Sequence, residues 1–139
     1  MLKKNIILIP ARSGSRRIKN KNMKLCGGKP LIYWTLRAAK NSKNVNDIYV
    51  STDSKKIANY CKKYGAKTPF LRPQKLSGSK TLMINVIKHF NNYLVKNNIQ
   101  CDTIILLQPT SPLRKSIDIE KSIKIFYKYK SDSVVSVCK

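Results

Sequence analysis

Acidic residues are scarce in this chain of 139 residues, which has six aspartates and glutamates against 29 lysines and arginines. The resulting formal net charge of +23 is typical of proteins that contact nucleic acid phosphates. Here, however, the charge is mostly lysine scattered along the chain, without a basic tail, an aromatic-interleaved basic motif or a helix-turn-helix signature. We therefore interpret it as a solvated basic surface that attracts small anions, and keep a nucleic-acid-binding protein as an alternative.

Long apolar runs and clustered metal ligands are missing as well. No apolar run is long enough to span a membrane, and the run over residues 6–9 stops at Pro10, too soon for a signal peptide, so a cytoplasmic location is expected. The lone histidine, His89, has no telling neighbours and is expected to be structural or on the surface. The cysteines form no C-x-x-C pair, which argues against a zinc site or disulfide framework and favours reduced, mostly buried thiols. They are Cys26, Cys61, Cys101 and Cys138.

Apolar periodicity predicts strands alternating with helices in one domain spanning residues 1–139. Strands are expected at 6–9, 47–52, 103–107 and 133–138. Helices are expected after Pro30, from a cap at Asp53 or Ser54 to Tyr64, over 81–97, and after a cap at Ser116. Helical spacing assigns Trp34, Tyr127 and Tyr129 to core packing. This alternation indicates an α/β fold with a layered, mainly parallel, Rossmann-like sheet and flanking helices, in which ligands bind beyond the carboxyl ends of the strands.

The loop after the first strand carries the clearest chemistry. Five basic residues surround Ser13-Gly14-Ser15, where the glycine allows a turn with inward-facing amides, an anion-binding nest. Several cations and hydroxyl donors converging on one loop suit a triphosphate. Neither a Walker A motif nor G-x-G-x-x-G is present, and an exposed basic loop remains the alternative. The basic residues are Arg12, Arg16, Arg17, Lys19 and Lys21.

At this point the sequence resembles a known family, the CMP-sialic acid synthetases and their relatives that activate pseudaminic or legionaminic acid. The resemblance rests on residues 9–18 (IPARSGSRRI) with 21–22 and 25–31, then 50–53 (VSTD), 71–73 (LRP) with Leu76, and 106–114 (LLQPTSPLR). It covers nearly the whole chain. The related Kdo cytidylyltransferases share a similar opening but carry an acidic Gly-Asp-Glu-Pro-type segment where this chain has residues 108–114, so the sialic-acid branch is favoured.

The resemblance implies a nucleotide-diphospho-sugar transferase-like fold and transfer of CMP from CTP to a nonulosonic acid, with release of pyrophosphate. It implies that Arg12, Ser15, Arg16 and Lys21 grip the triphosphate, with Arg12 and Lys21 stabilising charge during the reaction and Ser13 and Gly14 contributing amides. It further implies that Asn22 and Arg72 hold the cytidine part and that Gln108, Thr110 and Ser111 meet the sugar. CTP and the sugar acid are the implied partners, without nucleic acid or membrane.

Three departures from the family pattern qualify these expectations. Arg16 stands where many relatives have lysine, and Ser79 and Asn85 stand where close relatives often have aspartates. The family's chain also continues beyond this length, and that part supplies the aspartates that hold Mg²⁺ and much of a homodimer contact. No metal ligand is therefore expected within this chain, and Asp53 is expected to cap a helix. Little activity is expected of the chain alone, and an inactive CTP-binding remnant is the alternative.

Overall fold

The computed structural model describes residues 3–15 and 17–137, so the predicted role of Arg16 and the thiol of Cys138 lie outside the described residues. None of the helices in this part of the chain combines the length and apolar character needed to cross a membrane. In chain order the elements are β1 (Asn5–Pro10), β2 (Leu25–Cys26), β3 (Lys29–Pro30), α1 (Leu31–Lys40), β4 (Asp47–Ser51), α2 (Lys55–Lys63), α3 (Met83–Lys96), β5 (Thr103–Leu106) and α4 (Ser116–Lys128).

The main sheet has three strands in the order β4-β1-β5, and both pairings are parallel. Strand β1 is buried along its whole length, as expected for a continuous apolar run at the centre of a parallel sheet. Beyond β4 the chain adds single parallel bridges at Lys67 and Leu71, which extend the sheet on that side. The predicted mainly parallel sheet with flanking helices is confirmed. A small antiparallel hairpin, β2–β3, was not predicted; it turns through Gly27 and Gly28, both at positive φ.

Helices cover both faces of the sheet, because side chains along β1 alternate between them. Ile7 and Ile9 face a core built with α1, α2 and α4, in which Ile32, Ile57 and Ile119 are buried. Ile6 and Leu8 face the opposite core, which is formed mainly with α3. Two apolar cores on either side of β1 therefore fix the central strand, and with it the start of the loop that follows Pro10.

Several predicted boundaries and caps were wrong in detail. Residues 133–137 form no strand, and their valines are exposed. Helix α2 is capped by Ser54, whose hydroxyl accepts from the Ile57 amide, so Asp53 is not its cap. Ser116 is the first residue of α4 rather than its cap; the cap is Lys115, whose amide donates to the Asp118 carboxylate.

Some predicted core residues also lie elsewhere. Trp34 is half-buried and covers the β2–β3 hairpin, where its indole N–H donates to the Cys26 carbonyl at 2.8 Å. Tyr129 is 66% exposed, whereas Tyr127 is half-buried. Among the described thiols, only Cys61 is fully buried, which raises its pKa to about 12, while Cys26 is exposed. Helical spacing alone does not show which stripe of a short helix meets the sheet.

Candidate functional site

The carboxyl ends of the three parallel strands bring the two predicted loops to one edge of the sheet. Pro10 at the end of β1 is in register with Ser51 at the end of β4, and Leu8 is in register with Leu106 at the end of β5. The ladder continues past the strands: the Ala11 amide donates to the Ser51 carbonyl at 2.9 Å, and the Leu107 amide donates to the Leu8 carbonyl at 3.0 Å. Residues 11–15, 52–53 and 108–114 therefore leave the sheet at the same edge.

Side chains from two other segments hold the first loop. The Asp53 carboxylate accepts from the Ser13 amide at 2.7 Å and from the Ser13 hydroxyl at 2.8 Å. Asn22 is 6% exposed, and its side-chain N–H donates to the Arg12 carbonyl at 3.0 Å. Asn22 belongs to a short 3₁₀ turn, Lys21–Met23, that follows Asn20 in the left-handed conformation. The loop is thus tied to the strand end on one side and to its own later turn on the other.

These contacts change the expected source of anion donors. The amide of Ser13, predicted to face the triphosphate, is already bonded to Asp53. Gly14 is exposed, has no positive φ, and would carry a Cβ with no atom of the described residues within 4 Å of it. Glycine is therefore not required there for a left-handed turn. Because it has no side chain, it leaves open space in front of the loop.

The two cations chosen from the sequence for electrostatic work have no acidic partner. Arg12 and Lys21 are both half-buried. Among residues 3–15 and 17–137 the only ion pair joins Lys67 to Asp47, at 2.6 Å. Like all the described lysines and arginines except Lys67, Arg12 and Lys21 form no ion pair, so their charges are available to an anion.

Arg72 is buried at the end of β4, beside the first loop. It is 5% exposed and donates to the hydroxyl and carbonyl of Ser51 and, at 3.5 Å, to the Leu76 carbonyl. Burial lowers the pKa of its guanidinium; nearby Asp53 opposes the shift and nearby Arg12 adds to it. Arg72 thus lies beside the first loop, and its hydrogen bonds to Ser51 hold the end of β4. Its contact with cytidine stays a prediction.

The second loop presents its predicted sugar-binding residues to solvent. Gln108, Thr110 and Ser111 are all exposed. Arg114 closes the loop by donating to the Gln108 carbonyl at 3.2 Å, and its other terminal nitrogen is buried without a partner. Burial lowers the pKa of Arg114, an effect that Asp118 opposes. The arrangement gives an open polar surface beside the first loop.

Comparison with known proteins identifies the family. The sequence matches the family model described as cytidylyltransferase over residues 6–138. This chain belongs to the cytidylyltransferase family. It is 41% identical over 132 residues to a CMP-N,N'-diacetyllegionaminic acid synthase of Legionella pneumophila, an alignment that covers 95% of this chain and 56% of that protein.

Other relatives of this cytidylyltransferase chain act on similar sugars, according to their names. An N-acylneuraminate cytidylyltransferase of Escherichia coli is 37% identical, with 99% of this chain and 32% of the relative covered. A pseudaminic acid cytidylyltransferase of Campylobacter jejuni is 34% identical, with 92% and 55% covered. The chain thus spans about half, or less, of the length of these curated relatives.

Solved structures agree on the fold. A CMP:2-keto-3-deoxy-manno-octonic acid synthetase solved in complex with CTP superposes with a TM-score of 0.74 at 23% identity, covering 93% of this chain and 49% of the other. A cytidylyltransferase from Leptospira borgpetersenii gives a TM-score of 0.70 at 23% identity, covering 93% and 51%. At these identities the likeness establishes the shared architecture.

The magnesium ion implied by the resemblance finds no ready site in the described part of this cytidylyltransferase. Within it, no group of three or more histidine, cysteine, aspartate or glutamate side chains could hold a metal. The carboxylate nearest the loop is that of Asp53, and both of its oxygens accept hydrogen bonds from Ser13. The described residues do not fit a magnesium centre by themselves.

Two contacts at this edge of the sheet were not predicted. The sequence predicts Asp53 as a helix cap, but Ser54, which follows it, can cap equally well, so one of the two is available for another role. The bonds of Arg72 to Ser51 had no sequence signal, because the two residues are 21 positions apart and meet through the parallel bridge at Thr52 and Leu71.

Proposed function

We propose that this chain is the CTP-binding part of a cytidylyltransferase that joins CMP to a nonulosonic, sialic-acid-like sugar and releases pyrophosphate. The observation that carries the proposal is the pair Arg12 and Lys21, which have no acidic partner and flank an open loop at the carboxyl end of the central strand. A triphosphate carries about four negative charges and needs several converging cations. The names of the relatives support the sugar class.

In this proposal, the triphosphate lies against Gly14 and Ser15, with Arg12 and Lys21 on its charges and Arg16 close by in sequence. Asn22 and Arg72 are assigned to the cytidine, and Gln108, Thr110 and Ser111 to the sugar acid. The anomeric hydroxyl of the sugar attacks the α-phosphorus in line, and pyrophosphate leaves. Such transfers depend mainly on positioning and charge stabilisation, which suits a site of fixed cations and amides.

The remaining parts of the proposal concern the whole protein. Mg²⁺ is expected to accompany CTP, with its protein ligands outside the described residues, and the full-length enzyme is expected to be a cytoplasmic homodimer in glycan biosynthesis, such as that of lipopolysaccharide. Because the chain spans about half the length of its relatives, we expect it to bind CTP with little turnover.

Calorimetry with CTP, ATP and GTP at moderate salt tests the proposal. We expect selective binding of CTP, since the family signature and the two loops point to this nucleotide. Equal affinity for the three nucleotides would overturn it. A basic nucleic-acid-binding protein would instead bind duplex DNA with a steep salt dependence and show no preference for CTP.

A further inference from the structure

We propose that Asp53 is a positioning residue for the triphosphate loop: it fixes Ser13 so that the following residues face the nucleotide. The inference rests on the proposed function, because it assumes that this loop receives the triphosphate. It assigns to Asp53 neither helix capping nor metal binding.

The contacts of Asp53 reach across the sheet edge. Asp53 follows β4, whereas Ser13 follows β1, 40 residues earlier in the chain. The Ser13 amide donates to Oδ1 at 2.7 Å and the Ser13 hydroxyl to Oδ2 at 2.8 Å, so one carboxylate holds both donors of one residue. Hydrogen bonds to a charged acceptor are the stronger kind, and two of them fix orientation as well as distance. Ser54 caps α2, which leaves Asp53 available for this contact.

Asp53 also places a negative charge near the buried Arg72. Its field opposes the lowered pKa of the Arg72 guanidinium, whereas Arg12 contributes to that lowering, so both charges act on Arg72. Arg72 is buried and fixed to Ser51, and Arg12 has no acidic partner. Two cations close together repel, and a carboxylate near both offsets part of that repulsion. Asp53 thus offsets part of the repulsion that Arg12 exerts on Arg72 beside the loop.

The geometry leaves a defined part of the loop for the ligand. Asp53 holds Ser13 from one side, and Asn22 holds the Arg12 carbonyl from the other. Between residue 13 and the end of the described segment at residue 15 the loop faces open space, as the empty surroundings of Gly14 show. A loop fixed before binding loses less conformational freedom when the ligand binds, and this raises affinity. A carboxylate that competed with the incoming phosphates would have the opposite effect, and its removal would tighten CTP binding.

Calorimetry with CTP and CMP on three variants separates these roles. Asp53→Ala removes both acceptors and should weaken CTP binding roughly tenfold, as expected for the loss of about two hydrogen bonds. Asp53→Asn can keep one acceptor for the amide and donate to the Ser13 oxygen, so it should recover part of that loss. Asp102→Asn is the matched control: Asp102 also accepts a backbone amide from a distant residue, Lys4, at 2.7 Å, but before the first strand begins. It should leave CTP affinity unchanged.

Comparing the loss of CTP affinity with the loss of CMP affinity distinguishes a positioning role from a general effect on stability. CMP lacks the β- and γ-phosphates, so Asp53→Ala should change its affinity less than about twofold. Equal weakening of CTP and CMP, or CTP binding as tight as or tighter than in the wild type, overturns the inference. If Asp53→Ala does not fold, Ser13→Ala decides: it deletes one of the two bonds and should weaken CTP binding about threefold, and no change would overturn the inference. Failure of the wild type to bind CTP would refute the proposed function instead.

Discussion

Polar side chains lie at both ends of the central sheet, but they differ in whether they have partners within the protein. At the amino end, Asn5 is 2% exposed, and its amide and side-chain N–H groups donate to Asn46 and Asn44, both at 2.8 Å. Its side-chain oxygen Oδ1 accepts from the Tyr127 hydroxyl at 2.6 Å, and the Tyr127 hydroxyl also bonds the Thr103 hydroxyl at 2.8 Å. At the carboxyl end, Arg12 and Lys21 have no acidic partner. Groups satisfied within the protein stabilise the fold, whereas groups left unsatisfied are available to a ligand.

Cavity volume alone points to the other end of the sheet. A cavity of about 720 Å³ opens at the amino end, beside Asn5, Tyr127 and three lysines. Its most buried polar residue already has its hydrogen bonds within the chain, so the cavity offers few directed contacts. The carboxyl end instead presents the exposed side chains of Gln108, Thr110 and Ser111 and carries the half-buried Arg12 and Lys21. Polar groups without partners within the protein favour the carboxyl end as the candidate site.

The largest effect is expected from removing a cation at the carboxyl end. Arg12→Ala or Lys21→Ala should each weaken CTP binding about 100-fold, because a triphosphate charge is left unpaired. Thermal unfolding should change little, since neither side chain has an acidic partner. Calorimetry measures the affinity, and Arg37→Ala, at an exposed position of α1, is the matched control. Normal CTP binding by both loop variants would show that the loop assignment is wrong.

The next effect concerns the amino end, where a substitution should lower stability and leave CTP affinity unchanged. Asn5→Ala should lower the free energy of unfolding by about 2 kcal/mol, because it deletes two side-chain hydrogen bonds and leaves buried partners unsatisfied. CTP affinity of the folded protein should stay the same. Urea unfolding measures the first quantity and calorimetry the second. Tyr127→Phe, which removes only the hydroxyl, should cost about 1 kcal/mol; a stability equal to the wild type in both variants would contradict the comparison.

The smallest effect tests the open space at the loop. Gly14→Ala should leave stability within about 0.5 kcal/mol, because the new methyl group meets nothing within 4 Å and the backbone is not left-handed. It should weaken CTP binding about tenfold, since the methyl group would fill space that the triphosphate needs. The matched control is Gly65→Ala, at φ +85°, which should cost about 1 kcal/mol of stability without changing CTP affinity. Unchanged CTP binding by Gly14→Ala would move the triphosphate away from this residue.

Much of the fold was predictable because it depends on local patterns. The runs over 6–9 and 103–107 predicted strands, and β1 and β5 lie there. The predicted burial is confirmed for β1, whereas β5, at the side of the three-stranded sheet, is only half-buried. The predicted helix ending near Tyr64 is α2, which stops where Gly65 adopts a positive φ. The strand predicted at the end of the chain is absent over residues 133–137, although their valines suit a strand. A strand also needs a partner to pair with, and residues 133–137 pair with no other described segment.

The sequence indicated which segments form the candidate site, but not which of their residues bond to one another. The cluster of basic residues after Pro10 and the segment over 106–114 were visible in the sequence, and parallel alternation placed both at one edge. That Ser13 is bonded to Asp53, and Arg72 to Ser51, was not visible, because each pair joins residues far apart in the chain.

The sequence by itself determined the parallel α/β architecture, the family and the concentration of positive charge after the central strand, since these depend on periodicity, motif and composition. Only the tertiary structure decided which of these groups the protein uses internally and which it leaves for a ligand. Hydrogen bonding depends on distances of about 3 Å between atoms of distant segments, and such distances are set by packing and register rather than by neighbouring residues.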